Sequence, residues 1–146
     1  VENRIPITLD EEETEKLQSS AGTLKKIIEY DEVKADKIIL ALPFYTRQWK
    51  INSNGEVTSK SVVSMLNTKI PNGVEKQWNE DLQQYYIEYA DGKDTVKMWI
   101  EDGTSITSKV SLVSKYGLAG TSGWRKDMET SNVWTIINTE LQKASN

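Results

Sequence analysis

The sequence predicts an α/β fold, and three observations carry that reading. The run Ile38 to Pro43 is unbroken apolar sequence, too short for a confident helix and closed by a proline that would break one. An uninterrupted apolar run, as opposed to strict alternation, is the pattern of a strand covered on both faces, which is typical of parallel sheets. Second, a helical pattern followed by a strand-like run occurs twice, before Tyr45 and again before Trp124. Third, the stretch between these passages contains two alternating runs joined at Asp91-Gly92, a dipeptide suited to a hairpin turn.

Taken in order, Leu9 to Gln18 is acidic and helix-friendly, with the acids Asp10 to Glu13 at its start, where the helix dipole favours them. Ser19 to Gly22 reads as a break. Thr23 is the expected N-cap of a helix through Tyr30, with Leu24, Ile27 and Ile28 on one face. A charged turn, Asp31 to Asp36, leads into a strand from Lys37 to Tyr45. After Trp49 the sequence predicts a polar loop with Asn54-Gly55, a short helix from Ser59 to Asn67, and a turn at Pro71-Asn72-Gly73.

The hairpin follows, with strands Gln83 to Ala90 and Lys93 to Glu101. Pairing Ala90 with Lys93 puts Tyr85, Ile87 and Tyr89 on a core face with Val96, Met98 and Ile100. The opposite face receives Tyr86, Glu88, Lys97 and Trp99. From Thr104 to Tyr116 the spacing of Ile106, Val110 and Val113 predicts an amphipathic helix ended by Gly117, with Asp102 helping to cap its start. Leu118 to Trp124 is rich in small residues and reads as a packed strand. Ser131 caps a last helix to about Ala144, with Val133, Trp134, Ile137 and Leu141 as its buried stripe.

At 146 residues the chain is one domain by length and has a net charge of −4. That charge, without a basic stripe, argues against nucleic acid as a partner. No apolar stretch approaches the ~18 residues of a membrane span. The N-terminus lacks a Met and a signal-peptide pattern, so the expectation is a piece of a longer protein. Cysteine and histidine are both absent. Disulfides, thiol nucleophiles, Ser-His triads and the usual zinc sites are excluded together, and no metal or cofactor is expected. Five Trp and six Tyr stand against one Phe, a balance of amphipathic rings suited both to sugar stacking and to core packing.

Three motifs occur in a fixed order: Leu42-Pro-Phe-Tyr-Thr-Arg-Gln-Trp49; Trp99-Ile-Glu-Asp102 with Ser105 and Lys109; and Tyr116-Gly-Leu-Ala-Gly120 with Trp124-Arg125. Together they resemble the C-terminal part of family 18 glycoside hydrolases, the chitinase-like enzymes, and within it the bacterial branch of spore-cortex and cell-wall N-acetylglucosaminidases. The resemblance implies the last strands and helices of a (β/α)8 TIM barrel plus an α+β insertion. Residues 1–49 and 101–146 would belong to the barrel and 50–100 to the insertion. A whole barrel needs ~250 residues, so this is a section of one.

The resemblance also implies a substrate-binding set: Trp124 as pocket floor, Tyr45 and Arg47 at the C-terminal end of a strand, Trp49 on the loop beyond, and Glu101 at the rim or paired with Arg47. Trp99, Tyr86 and Trp78 are weighed as a groove wall and read as packing. Adjacent strand residues point to opposite faces, so Glu101 and Asp102 do not share a substrate. The family signature D-x-x-D-x-D-x-E, whose Glu protonates the leaving oxygen, has no counterpart. Asp31-Glu-Val-Lys-Ala-Asp36 has its acids at the wrong spacing. No catalytic residue is therefore assigned, and this chain alone is expected to be inactive. The implied partner is an N-acetylglucosamine-containing glycan, peptidoglycan or chitin-like, with an extracellular, cell-wall or spore location. The alternative is a non-catalytic glycan-binding module. Exposed strand edges imply a homo-oligomer.

Overall fold

A computed structural model of the chain describes residues 20–145. The expected acidic helix Leu9 to Gln18 lies outside them. In chain order the elements are α1 (Ser20–Glu29), β1 (Ile39–Pro43), β2 (Tyr45–Ile51), β3 (Val57–Ser64), β4 (Gln77–Asn79), β5 (Gln84–Asp91), β6 (Asp94–Ile100), α2 (Gly103–Tyr116), β7 (Gly120–Trp124) and α3 (Val133–Ala144). Short 3-10 turns sit at Ala35–Lys37 and Met65–Asn67. Thr23 lies inside α1 instead of capping it.

Two sheets form. β1 and β7 pair in parallel, from Ile39 opposite Gly120 to Pro43 opposite Trp124. The other five strands make an antiparallel sheet in the order β3-β2-β6-β5-β4. Phe44 joins the two sheets. Its amide donates to the Trp124 carbonyl at 2.7 Å, and its carbonyl accepts from the Met65 amide at 3.0 Å. The predicted single strand to Tyr45 therefore ends at Pro43, and Tyr45 opens a new strand in the other sheet.

That second sheet corrects two expectations. Ser59 to Asn67 is not a helix: β-branched Val57, Val62 and Val63 pair along β2 as strand β3, Thr58 is the extra residue at a bulge, and only the last three residues coil. Arg47 and Trp49 therefore stand on strand β2, and Trp49 is not on a loop. In the hairpin, Ala90 pairs with Thr95 and Asp91 with Asp94, so the turn is Gly92-Lys93. Gly92 takes φ 64°, and Lys93 is not among the residues with positive φ, the pattern of a II′ turn. The slip from the predicted register is two residues, and a two-residue slip leaves every side chain on its predicted face.

The core has three parts. Ile87, Val96, Met98 and Ile100 fill the inner face of the five-stranded sheet, with Tyr85 and Tyr89 partly buried against them. Leu42, Phe44, Met65, Ile106, Val110 and Val133 tie β1 to α2 and α3. Leu24, Leu112, Val113 and Leu118 seat α1. Helix α2 starts on a capping box, in which the Asp102 carboxylate accepts from the Thr104 and Ser105 amides at 3.0 Å. It ends at Gly117 in the left-handed conformation, as the sequence predicts. Trp134 was expected in the core. It is half exposed, laying its edge against Phe44 at 5.7 Å and donating to Glu129 at 2.9 Å.

The apolar strand is covered on one face only. Leu40 and Leu42 turn toward the helices, while Ala41 is exposed and Ile39 is 62% exposed. Among the described residues β1 and β7 pair only with each other, so each keeps one unpaired edge.

Candidate functional site

Alternation along β2 sends Tyr45, Arg47 and Trp49 to one face of the five-stranded sheet. Cross-strand pairing aligns Arg47 with Trp99 and Trp49 with Lys97 on β6. Tyr86 stands opposite Trp99 on the next strand, and their rings approach to 4.8 Å. The faces are those predicted, but Trp99 does more than pack. It helps line a cleft of about 520 Å³ together with Tyr45, Arg47, Trp49 and Glu101. That size lies within the usual range for small-molecule sites.

Pro43 also borders this cleft, at the C-terminal end of β1. Trp124 pairs with Pro43 across the parallel ladder and is 68% exposed, but it is not among the cleft-lining residues. The structure thus brings together four of the five predicted side chains and leaves the fifth beside them. The peptide bond between Trp124 and Arg125 is cis.

Glu101 was expected at the rim or paired with Arg47; it does neither. It is 2% exposed, and both of its oxygens accept from the Lys109 ammonium, at 2.7 and 2.6 Å. Ser105 donates to one oxygen at 2.7 Å and Gln84 to the other at 3.0 Å. Its amide donates to the hydroxyl of fully buried Thr46 at 3.0 Å. Burial pushes the Glu101 carboxyl above the usual carboxylate range, while Lys109 and Ser105 pull against that shift. The node joins β2, β5, β6 and α2 at one point beneath the cleft.

Asp102 points elsewhere, into its capping box and toward Lys76 at 3.8 Å, as expected for adjacent residues on opposite faces. Arg47 is exposed, with its guanidinium 5.8 Å from the Tyr45 ring centroid. On β5, burial and a 2.6 Å hydrogen bond to Glu88 hold the Tyr86 phenol above its ordinary pKa. Trp78 lies off the cleft, with its ring 4.9 Å from that of Tyr85. Among the described residues no cluster could hold a metal ion, and no helix is long and apolar enough to cross a membrane.

Lys109 and Gln84, which hold Glu101, are among the cleft residues that sequence reasoning did not assign, with Ser20, Pro43 and Leu82. The signal for Lys109 was present: it lies two helical turns after Glu101, on the face of α2 that the capping box turns inward.

With this geometry in hand, known proteins give a consistent comparison. Residues 6–129 match the glycosyl hydrolases family 18. The chain belongs to that family. The cortical fragment-lytic enzyme of Bacillus subtilis (strain 168) is 24% identical over 129 residues, covering 84% of this chain and 30% of the relative. Among solved structures, a chitinase from Chromobacterium violaceum superposes with a TM-score of 0.65 at 22% identity, covering 83% of this chain and 37% of that one. The Bacillus cereus spore cortex-lytic enzyme SleL also gives 0.65, at 20% identity, covering 82% and 29%. At these identities the structures share the family 18 fold. The chain spans less than a third of the curated relatives it matches.

Proposed function

We propose that this chain is the substrate-binding section of a family 18 glycoside hydrolase acting on N-acetylglucosamine-containing polymers, peptidoglycan or chitin-like. It supplies the wall and floor of the pocket and not the acid. The observation that carries this reading is the convergence of Tyr45, Arg47, Trp49 and Glu101 on one cleft at the C-terminal end of β1. Barrel enzymes build their sites at that end of their strands. Indole and phenol rings offer flat apolar surface with polar edges, which suits stacking on pyranose faces, and Arg47 can donate to hydroxyl or N-acetyl oxygens.

In this reading β1 and β7 are the last two staves of a (β/α)8 barrel, and the five-stranded sheet is the body of an insertion between them. The free strand edges and the bare Ile39–Ala41 face support it. So does the small share of its relatives that the chain covers. The remaining staves, carrying D-x-x-D-x-D-x-E, would come from sequence outside these residues, and the location would be the cell wall or spore. The second reading, a glycan-binding module that does not cut, is favoured by the lack of that signature anywhere in the 146 residues.

Titration of the chain with N-acetylglucosamine oligomers, followed by Trp fluorescence, tests the binding claim. The expected outcome is a saturable change that weakens at least severalfold in Trp49→Ala, as loss of a stacking ring requires. No response at millimolar oligomer would overturn it. Hydrolysis of the same oligomers by this chain alone would overturn the assignment of the acid to sequence outside it.

A further inference from the structure

A second groove lies on the other side of the wall that backs the cleft. Consecutive residues divide between the two: Gln84, Glu101 and Lys109 line the cleft, while Gln83, Asp102 and Ser108 line the groove. The groove has a volume of about 720 Å³ and is lined by β4, the turn after it, α2 and the start of α3, not by the strands that carry the open ladder edges. On the sheet side, the Glu80 carboxylate accepts from the Trp78 indole at 2.7 Å and from the Gln83 side-chain amide at 3.1 Å. That amide also donates to the Glu80 carbonyl at 2.7 Å. One exposed residue thus holds both the ring and the amide of this wall. On the helix side, three hydroxyls commit their protons within the protein: Thr107 to the Gly103 carbonyl at 2.7 Å, Ser111 to the Ser108 carbonyl at 2.6 Å, and Ser108 to the Gln83 amide oxygen at 3.0 Å. Their oxygens keep lone pairs and so stand as acceptors along about one helical turn. Gly103 lets α2 come close to Asn132 and Ile136, since a Cβ there would stand 2.9 Å from the Asn132 amide nitrogen and 3.2 Å from Ile136. The charged lining residue, Asp102, is already engaged by the α2 cap and by Lys76 at 3.8 Å.

We propose that this groove is a second saccharide site, separate from the cleft, and that it takes a neutral stretch of glycan. Acceptors in a row call for a ligand rich in hydroxyl donors, and they disfavour carboxylate or phosphate oxygens, which only accept. The Trp78 indole and the Ile136 side chain supply apolar surface on which a pyranose face can lie. A ring already held by Glu80 has little freedom left to lose on binding. The ligand class follows from the groove's own lining and goes beyond the reading of the cleft. With a shared wall between them, the groove would hold one part of a polymer strand beside the part that the cleft engages.

Nitrogen–proton correlation spectra of the full chain, titrated with the N-acetylglucosamine tetramer, separate the two sites residue by residue. The expected result is two sets of shifts. One falls at Trp49 and Trp99; the second, with a higher midpoint, falls at the Trp78 indole and the Thr107, Ser108 and Ser111 amides. Trp78→Ala should abolish the second set and leave the first, and Trp49→Ala should do the reverse. Glu80→Ala changes an exposed turn residue, and its free spectrum reports its fold, so it carries the test should Trp78→Ala fail to fold. It should raise the second midpoint at least severalfold and leave the first unchanged. Shifts at the cleft alone would overturn the inference and leave the cleft site. So would groove shifts that follow the cleft midpoint and vanish in Trp49→Ala, since those pass through the shared wall. Groove shifts without cleft shifts would support the inference and overturn the cleft reading. No shift at either place would overturn both.

Discussion

The two sheets of this protein treat their surfaces in opposite ways. The five-stranded sheet packs one face with Ile87, Val96, Met98 and Ile100, and anchors its other face to α2 through the buried Glu101–Lys109 node. Among the described residues, the β1–β7 pair buries one face against α2 and α3 and leaves the other, with two ladder edges, uncovered. The first sheet carries its own core and its own polar anchor. The second has the composition of a fully buried strand and only half the burial. Under the proposed function, this apolar face is where further barrel staves or another copy would pack.

The largest effect that separates the regions should come from Lys109→Met. It leaves Glu101 buried without its cation, which costs about 3–5 kcal/mol. Urea denaturation should show the loss, and Glu101→Leu combined with Lys109→Met should regain most of it. In the other region, Gly123 of β7 lies against the ring of Phe44, the residue after β1, and an added Cβ would run into that ring. Gly123→Ala should therefore cost about 1–3 kcal/mol by overpacking, despite the exposure of that residue. Thr46→Val should cost about 1–2 kcal/mol, because the Glu101 amide loses its buried acceptor.

The pH dependence sharpens the contrast. A carboxyl whose pKa is raised by folding holds its proton more firmly in the folded state. Stability from Glu101 is therefore greatest below the ordinary value of 4.5 and falls as pH rises from there through the raised folded value. Glu101→Gln should remove that part of the slope, measured as urea midpoints across the window, whereas Ile39→Lys should leave it unchanged. The Ile39 substitution should act on association instead. Sedimentation of the wild type should show concentration-dependent self-association through the open β1 face and edge, and Ile39→Lys should suppress it. A strict monomer at high concentration would remove that role from β1.

The sequence reading succeeded where local rules decide structure. Asp102 and Gly117 bracket α2 as caps, the hairpin faces follow from alternation alone, and Val133 with Ile137 marks the packed side of α3. It failed where tertiary pairing overrides local preference. Ser59 to Asn67 has no core-facing periodicity that excludes a helix, and only the edge of β2 makes most of it a strand. The break at Phe44 was hidden because the run remains apolar and aromatic through a change of sheet. In the site, Tyr45 and Arg47 were legible from their place at the end of an apolar strand and from the family motif, whereas the shared face with Trp49 was not, because Trp49 was read as lying on a loop beyond the strand. The partner of Glu101 was not, since choosing Lys109 over Arg47 depends on how α2 crosses the sheet.

Amide hydrogen exchange of the chain, with and without a saturating N-acetylglucosamine oligomer, tests the cleft most directly. The account predicts slowed exchange concentrated in the second half of β1, the start of β2 and the tip of β7 around Trp124, with the Gly92-Lys93 turn unaffected. Protection confined to the far side of the five-stranded sheet, around Gly73 and Val74, would contradict it.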